Sequence, residues 1–393
     1  MASPVNFRNL PRSYLENLPN SRKTKCVVDM QTKNAAKKTM AVSPIVATLV
    51  LIVVAVVGAV AVGTIMGTFS QSVSKQADAG QAASASQTEL LTAGSTTVYP
   101  ASLQIAKLFM EQHPGVKITV QGGGSGAGVA ATGAGTVDIG ASSDLSKITG
   151  TGGNADHPDW NLEYTQIGCS GIFVVGGTNA NLTSATFTSA DIKTMFNVGG
   201  VSEPAAFVTA GINEVVTRSD ASGTADTFYK ALGYSGQQIP NVSGVSTVSA
   251  SGNEGVLAEI ASHPNAIGFL DMGYAIPALG TTPATGIQIL TVDDSAKNIK
   301  SPGGNKLGFG PATPTVALVK TACQDLQKST ANPPDIKAGD YPLVRGLYYF
   351  TKGNPSPIEN SYISFAASPG ACTNPAGTEG IHNAGVFCMA DLT

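Results

Sequence analysis

The sequence predicts an α/β protein whose body has two lobes and follows a single membrane-spanning helix. The chain has 393 residues, which is more than one ordinary domain contains. Strand-like segments alternate with polar turns and helix-like segments from residue 89 onward, a rhythm typical of parallel sheets with helices between the strands. A run without charged residues, Ile45 to Gly67, precedes this body. These three observations define the predicted fold class.

The charge of the chain is low and unevenly distributed. Charged residues make up 12% of the sequence, which also contains 45 glycines. Residues 1–40 contain eight Lys and Arg against Glu16 and Asp29, whereas the whole chain has a net charge of −3. A basic end before an acidic remainder indicates two compartments, with the basic end in the cytoplasm. The weakly charged, acidic body argues against a nucleic-acid partner.

The uncharged run Ile45–Gly67 is long enough to cross a bilayer. As a helix it would span about 34 Å at roughly 1.5 Å per residue. It is apolar on all sides, which favours a membrane span over a buried core helix. Lys33, Lys37 and Lys38 precede it, so we expect it to run from the cytoplasm to the exterior. We predict a cytoplasmic leader (1–40), a transmembrane helix (41–69) and a tether (70–88), with an extracellular or pseudoperiplasmic body at the cell membrane.

The start of this run, residues 36–50, reads Ala-Lys-Lys-Thr-Met-Ala-Val-Ser-Pro-Ile-Val-Ala-Thr-Leu-Val. It resembles the archaeal type IV pilin-like (class III) signal. The resemblance implies a prepilin peptidase as a partner, cutting near Met40 and leaving the helix as the anchor. A forty-residue leader is long for the class and Met30 would give one of the usual length, so we interpret residues 1–29 as an extension from a misplaced start. No Cys directly follows the run, which argues against a lipoprotein anchor.

The five cysteines divide between the two sides of the predicted membrane. Cys26 lies on the cytoplasmic side, and the others lie outside, where disulfides persist: Cys169, Cys323, Cys372 and Cys388. We predict a disulfide between Cys372 and Cys388, which lie close together in a tail rich in Gly and Pro. The sequence contains no C-x-x-C and no zinc-type His spacing, so no metal site is predicted.

Two apolar segments divide the body into lobes. Gly171–Gly176 is predicted to cross to a second lobe, and Ala266–Leu270 is predicted to cross back. We expect lobe 1 to contain residues 89–174 and 271–393, and lobe 2 to contain residues 175–270.

The stretch Arg218–Thr224, Arg-Ser-Asp-Ala-Ser-Gly-Thr, directly precedes a predicted helix. A helix N-terminus has unpaired N–H groups and the positive end of the helix dipole, so it stabilises an anion. Arg218 offers a planar fork of donors, Ser222 and Thr224 offer hydroxyls, and Gly223 permits close backbone approach. An ordinary helix N-cap is the alternative interpretation.

Two further strand ends carry similar groups. Ser95–Thr97 forms a turn before a helix, and Ser125 follows Gly124 inside the run Gly122–Gly128 before another. Because carboxyl ends of parallel strands meet at one edge of a sheet, the three turns are expected to face one oxyanion. The glycine run matches neither the dinucleotide-binding nor the P-loop pattern, and a flexible loop is its alternative interpretation.

The order of these motifs resembles a known family. Along the chain lie G-S-T-T-V-Y-P, G-G-G-S-G-A-G, D-I-G-A-S-S-D and R-S-D-A-S-G-T, followed by A-I-G-F-L-D-M-G-Y-A and Y-P-L-V-R-G-L-Y-Y-F. This series resembles the PstS family, the phosphate-binding proteins of phosphate ABC importers, over residues 89–370. The resemblance implies a type II periplasmic-binding-protein fold, a phosphate ion as ligand and an ABC permease as partner.

The resemblance also implies roles for individual residues. Those that would bind phosphate are Ser95, Thr96, Thr97, Ser125, Arg218, Ser222, Gly223 and Thr224. Thr96 would be the donor of the first turn, with Ser95 and Thr97 as alternatives. Asp220 would position Arg218, and Gly124 would support Ser125. Asp138 would accept the proton of hydrogen phosphate and so reject sulfate, which has no proton at neutral pH.

An enzyme is not expected, and no cofactor is predicted. Three of the four histidines, His113, His157 and His263, directly precede proline in predicted turns, and no nucleophile lies beside a base. The predicted function is the capture of inorganic phosphate for an ABC importer. The alternative is a pilin-like filament subunit or adhesin that carries a phosphate-binding-like domain.

Overall fold

The computed structural model describes residues 88–292, 299–302, 306–307, 313–331, 334–337, 339–373, 377 and 379–393. The chain divides into two units, Met1–Ser84 and Ala85–Thr393, and the second is described here. The predicted leader, transmembrane helix and all but the last residue of the predicted tether lie outside the described residues. Among the helices that are described, none is long and apolar enough to span a bilayer.

The elements of the described unit alternate between strands and helices along much of the chain. The strands are β1 Thr88–Gly94, β2 Val116–Gln121, β3 Ile139–Ser142, β4 Leu162–Gly177, β5 Val201–Ser202, β6 Glu214–Arg218, β7 Val242–Ser243, β8 Ser246–Ala250, β9 Ala266–Asp271, β10 Ile287–Ile289, β11 Ile299–Lys300, β12 Lys306–Leu307, β13 Val344–Lys352 and β14 Phe387–Cys388. The α-helices are α1 Tyr99–Gln112, α2 Ser125–Gly133, α3 Leu145–Thr149, α4 Ala180–Ser184, α5 Ser189–Met195, α6 Ala205–Ala210, α7 Gly223–Ala231, α8 Gly252–Ser262, α9 Met272–Ala275, α10 Val316–Lys328 and α11 Pro357–Ala366.

Most of these strands form one mixed sheet in the order β2-β1-β3-β13-β4-β9-β6-β8, and β10 and β14 also pair with β4. β1 pairs in parallel with β2 and β3, and β6 pairs in parallel with β8 and β9. Parallel neighbours require long connections, which α1, α2, α7 and α8 supply. Strand β13 lies between β3 and β4 and runs antiparallel to both. The sequence did not predict this position for β13.

The long strand β4 connects the two halves of this sheet. Its first part pairs with β13, up to Gly171 opposite Val344, and its second part pairs antiparallel with β9, from Ile172 opposite Asp271. Residues 167–177 of this strand are all buried, which explains why Gly171–Gly176 contains no polar side chain. The two predicted crossing segments are therefore strands β4 and β9, lying side by side.

Two hydrophobic cores flank this connection. The first contains side chains of β1, α1 and β13, such as Leu90, Phe109 and Leu347. The second contains side chains of β4, α7 and β9, such as Phe173, Phe228 and Phe269. The predicted lobe boundaries stay a prediction, although several segments of the predicted lobe 1 contribute to the second core, among them α9, β10 and α10. Helix α10 lies within the predicted lobe 1, yet its buried residues Val319, Ala322 and Cys323 belong to the second core.

Two disulfides tie the described unit together. The predicted pair of Cys372 and Cys388 is confirmed. The second disulfide joins Cys169 on β4 to Cys323 on α10, and so attaches this helix to the connecting strand.

Candidate anion-binding site

The carboxyl ends of four strands meet at one place in the sheet. Ser95 follows β1, Ser143 follows β3, Arg218 ends β6 and Asp271 ends β9, and all four side chains are at most 2% exposed. Gly94 allows this close approach, because a Cβ there would lie 2.1 Å from the carbonyl oxygen of Ala141. The predicted convergence of strand ends is therefore present in the fold.

Arg218 lies at the centre of the meeting point. Its Nε and Nη2 donate to the Asp220 carboxylate at 2.8 and 2.5 Å, and Nη2 also donates to Thr96 Oγ1 at 2.8 Å. Burial acts to raise the pKa of Asp220, but the bonds and charge of Arg218 and the N–H of Gly252 hold that pKa below its usual value. The predicted pairing of Asp220 with Arg218 is thus observed.

The N-terminus of α7 brings the predicted second motif to the same place. Ser222 caps the helix, since its Oγ accepts from the N–H of Ala225 at 3.1 Å. Gly223 packs so closely that a Cβ would lie 2.6 Å from the hydroxyl oxygens of Ser125 and Ser143. Thr224 Oγ1 is 2.9 Å from Thr97 Oγ1.

Hydroxyl groups of the other two predicted turns lie at the same meeting point of the strand ends. Ser95 donates to Ser143 Oγ at 3.0 Å, and the N–H of Ser143 donates to Ser125 Oγ at 3.2 Å. Ser125 begins α2, and Gly124 before it has a φ of 96°, a conformation that suits glycine. Apart from Asp138, the structure therefore brings the predicted site residues together.

A second arginine, Arg345 on β13, was not predicted. Its Nη2 donates to Asp271 Oδ2 at 2.8 Å and to the hydroxyls of Thr97 and Thr224 at 3.0 Å each. Burial lowers its pKa to about 10, helped by the charge of Arg218 and opposed by Asp271, so Arg345 is charged at neutral pH. Burial also raises the pKa of Asp271, although Arg345 opposes this shift.

Asn253 at the start of α8 is another site residue that the sequence reasoning missed. Its Nδ2 donates to Thr97 Oγ1 at 3.2 Å, and its Oδ1 accepts from the N–H of Asp271 at 3.3 Å. Arg345 and Asp271 stood inside segments used to recognise the family, Y-P-L-V-R-G-L-Y-Y-F and A-I-G-F-L-D-M-G-Y-A. Nothing in either segment indicated that the two side chains would meet.

The prediction for Asp138 is corrected by the structure. Asp138 precedes β3, so it lies at the amino end of a strand whose carboxyl end reaches the site, roughly 13 Å away at about 3.3 Å per residue. Its side chain is exposed, and Oδ2 accepts from the N–H of Leu91 at 2.7 Å. Asp144 lies at the correct end instead, where its carboxylate accepts from Lys230 Nζ at 2.6 Å and the N–H of Ser146 at 2.9 Å.

The two arginines leave buried donors without acceptors. Within the described residues, Arg218 Nη1 and Arg345 Nε and Nη1 are buried and have no hydrogen-bond partner. Buried, charged N–H groups without partners are costly, and an oxyanion supplies the acceptors that match a guanidinium. The site is therefore built for a tetrahedral or planar oxyanion. Within the described part, Glu214, Glu259 and His263 form a group of potential metal ligands away from this site, whereas Cys372 and Cys388 beside His382 are joined in a disulfide.

Comparison with known proteins agrees with this geometry. A family model described as the PBP superfamily domain matches residues 79–369, so the chain belongs to the PBP superfamily. The phosphate-binding protein PstS of Bacillus subtilis (strain 168) is 27% identical over 240 residues, which cover 59% of this chain and 72% of that protein. A Clostridium perfringens protein, assigned as a phosphate ABC transporter substrate-binding protein and solved with bound phosphate, superposes with a TM-score of 0.52 at 20% identity, covering 76% of this chain and 99% of that chain. The predicted α/β binding-protein fold is confirmed.

Proposed function

We propose that this protein is an extracytoplasmic solute-binding protein that captures inorganic phosphate for an ABC importer. The observation that carries the proposal is the pair of buried arginines, Arg218 and Arg345, whose unpartnered N–H groups adjoin one cluster of hydroxyls. Two fixed positive charges, buried hydroxyl donors and a helix N-terminus together match a dianion. The relatives named for phosphate binding support the same ligand.

The proposed ligand groups come from several elements. Arg218 and Arg345 supply charged donors, and Gly223 presents its backbone at the N-terminus of α7. The proposed hydroxyl donors are Ser95, Thr96, Thr97, Ser125, Ser222 and Thr224. Thr97 and Thr224 now bond to each other, and Ser95 and Ser125 each bond to Ser143, so binding would exchange these bonds for bonds to phosphate oxygens.

Selectivity against sulfate requires an acceptor for the phosphate proton, and we assign this role to Asp144 in place of Asp138. Asp144 directly follows Ser143 at the site end of β3. The negative charge of Asp144 favours the charged form of Arg345 and so opposes the lowering of the Arg345 pKa by burial. A carboxylate there accepts the proton of hydrogen phosphate but faces only acceptor oxygens in sulfate.

Calorimetric titration of the full-length protein with phosphate, sulfate and molybdate tests the proposed ligand. We expect one phosphate to bind per chain, and sulfate and molybdate to bind at least tenfold more weakly. No binding of phosphate, or equal binding of sulfate, would contradict the proposal.

We further propose that the body is anchored by the apolar run Ile45–Gly67 with its basic leader, that prepilin peptidase processes this leader as in archaeal pilin-like proteins, and that the receptor delivers phosphate to a permease. The type II subclass of the fold likewise stays a prediction. Fractionation of expressing cells tests the anchor, because deletion of residues 41–69 should release the body from the membrane fraction. A protein that stays in that fraction after the deletion would refute the anchor.

A further inference from the structure

A cavity of about 650 Å³ adjoins the anion-binding site. Arg345 and Asp144 line this cavity, and both also belong to the anion-binding site, so the two spaces share a wall. The cavity lies between α3, α7 and the start of β13, and residues of the segments 300–302 and 326–329 also line it.

This cavity is much larger than inorganic phosphate requires. A water molecule takes up about 30 Å³ in the liquid, and an ion of five heavy atoms takes up only a few times that volume. Sites for organic ligands have volumes of about 300 to 1,000 Å³, a range that includes this one.

The lining suits a polar organic group attached to an anion. Arg345 is 5% exposed, and its Nε and Nη1 have no partner within the described residues. Lys300, Gln166 and Tyr348 add polar groups, while Leu145 and Leu326 add apolar surface. A wall of mixed polar and apolar side chains beside buried cations matches a short polyol more closely than a second bare anion.

Two ion pairs link α3 and α7 beside the cavity. Lys230 on α7 contacts Asp144 at 2.6 Å, and Lys147 on α3 contacts Asp226 on α7 at 2.7 Å. In the first pair the lysine lies on α7 and the aspartate directly precedes α3, whereas in the second pair the lysine lies on α3 and the aspartate on α7. These ion pairs therefore fix α3 and α7 on one side of the cavity, which is partly open to solvent.

We propose that this protein also binds phosphate monoesters of small polyols, with the phosphoryl group at the anion-binding site and the polyol in the adjoining cavity. The inference rests on the proposed function, because it uses the same phosphate site. A monoester suits this arrangement as its monoanion, because its P–OH group can donate to Asp144 as proposed for hydrogen phosphate. Its two other phosphoryl oxygens then serve the arginines and hydroxyls, and the polyol extends from the ester oxygen.

Thr227 provides a variant that fills the cavity at a residue outside the proposed phosphate ligands. It lines the cavity from α7, and its hydroxyl donates only within its own helix, to the carbonyl of Gly223 at 2.9 Å. Thr194 is a matched control, because it is also half-buried on a helix and donates to the carbonyl of Ala190 at 2.9 Å, but does not line the cavity.

The test is calorimetric titration of the full-length protein with glycerol 3-phosphate and with inorganic phosphate. We expect glycerol 3-phosphate to bind and to compete with phosphate. Thr227→Phe should weaken glycerol 3-phosphate binding at least tenfold and change phosphate binding less than twofold, and Thr194→Phe should change neither. If Thr227→Phe does not fold, Thr149→Phe on the α3 side of the same cavity replaces it with the same expected result.

The outcomes separate this inference from the proposed function. Phosphate binding without glycerol 3-phosphate binding, or equal loss of both ligands in Thr227→Phe, overturns the inference and leaves the proposed function standing. Glycerol 3-phosphate binding without phosphate binding overturns the proposed function and supports the inference. If neither ligand binds, both are overturned.

Discussion

The two arginine–aspartate pairs of the anion-binding site have the same chemistry but different surroundings. Arg218 and Asp220 are two residues apart on one turn, and the Asp220 side chain is 13% exposed. Arg345 and Asp271 come from different strands, and the Asp271 side chain is 1% exposed. The residues of the first pair are close in sequence, and the Asp220 carboxylate is partly exposed to solvent. The residues of the second pair are far apart in sequence, and both side chains are buried. We therefore expect the second pair to stabilise the fold and the first pair to act mainly in ligand binding.

The largest expected effect is on stability. Arg345→Met leaves Asp271 buried without its cation, so we expect a loss of about 3 to 5 kcal/mol in the free energy of unfolding at neutral pH. Arg218→Met leaves Asp220 partly exposed to solvent and bonded to the N–H of Gly252, so we expect a smaller loss of about 1 to 2 kcal/mol in the free energy of unfolding. Urea unfolding followed by the fluorescence of Trp160, the single tryptophan, measures both. Equal losses of unfolding free energy in the two variants would show that the two pairs contribute equally to stability.

The next effect is on binding. Arg218→Met should lose at least about 2 kcal/mol of phosphate-binding free energy, because it removes charge-assisted hydrogen bonds. Calorimetry measures this loss, and the exposed Lys193→Met on α5 is the control for the removal of a distant positive charge. Unchanged affinity in Arg218→Met would show that this pair does not serve the ligand.

A smaller effect should distinguish the carboxylates at the two ends of β3. Asp144→Asn should narrow the preference for phosphate over sulfate by about tenfold, or about 1.4 kcal/mol, because the proton acceptor is lost. Asp138→Asn should leave that preference unchanged, since its exposed carboxylate lies at the opposite end of the strand. Competition titrations with both anions measure the preference. A response from Asp138→Asn alone would restore the prediction from sequence.

The smallest effect concerns acid stability. Since the pKa of Asp220 is held below its usual value in the folded state, its contribution is present above the ordinary Asp range and is lost as pH falls through the folded pKa. The stability difference between wild type and Arg218→Met should therefore shrink as pH falls below about 4. Melting temperatures of both proteins from pH 7 to pH 3 measure this stability difference. A difference that stays constant over this range would show that the ionised Arg218–Asp220 pair does not contribute to stability.

The same contrast explains how much the sequence could predict. The motif Arg218–Thr224 could be recognised because all its groups lie within one turn and the next helix. Arg345 and Asp271 are 74 residues apart, and only the pairing of β4 with both β13 and β9 brings them together. Asp138 was placed wrongly because its role was carried over from the family resemblance, whereas the rule that site residues follow the carboxyl ends of parallel strands favours Asp144. The antiparallel position of β13 also depends on long-range pairing, which local patterns do not encode.

A crystal structure of the protein grown with inorganic phosphate would show whether the two arginines bind the anion. We predict one phosphate with its oxygens within about 3 Å of Arg218 Nη1 and of Arg345 Nε or Nη1, and in contact with the N-terminus of α7. Phosphate bound away from both arginines, or absent from a site where the two guanidinium groups keep their present partners, would contradict the account.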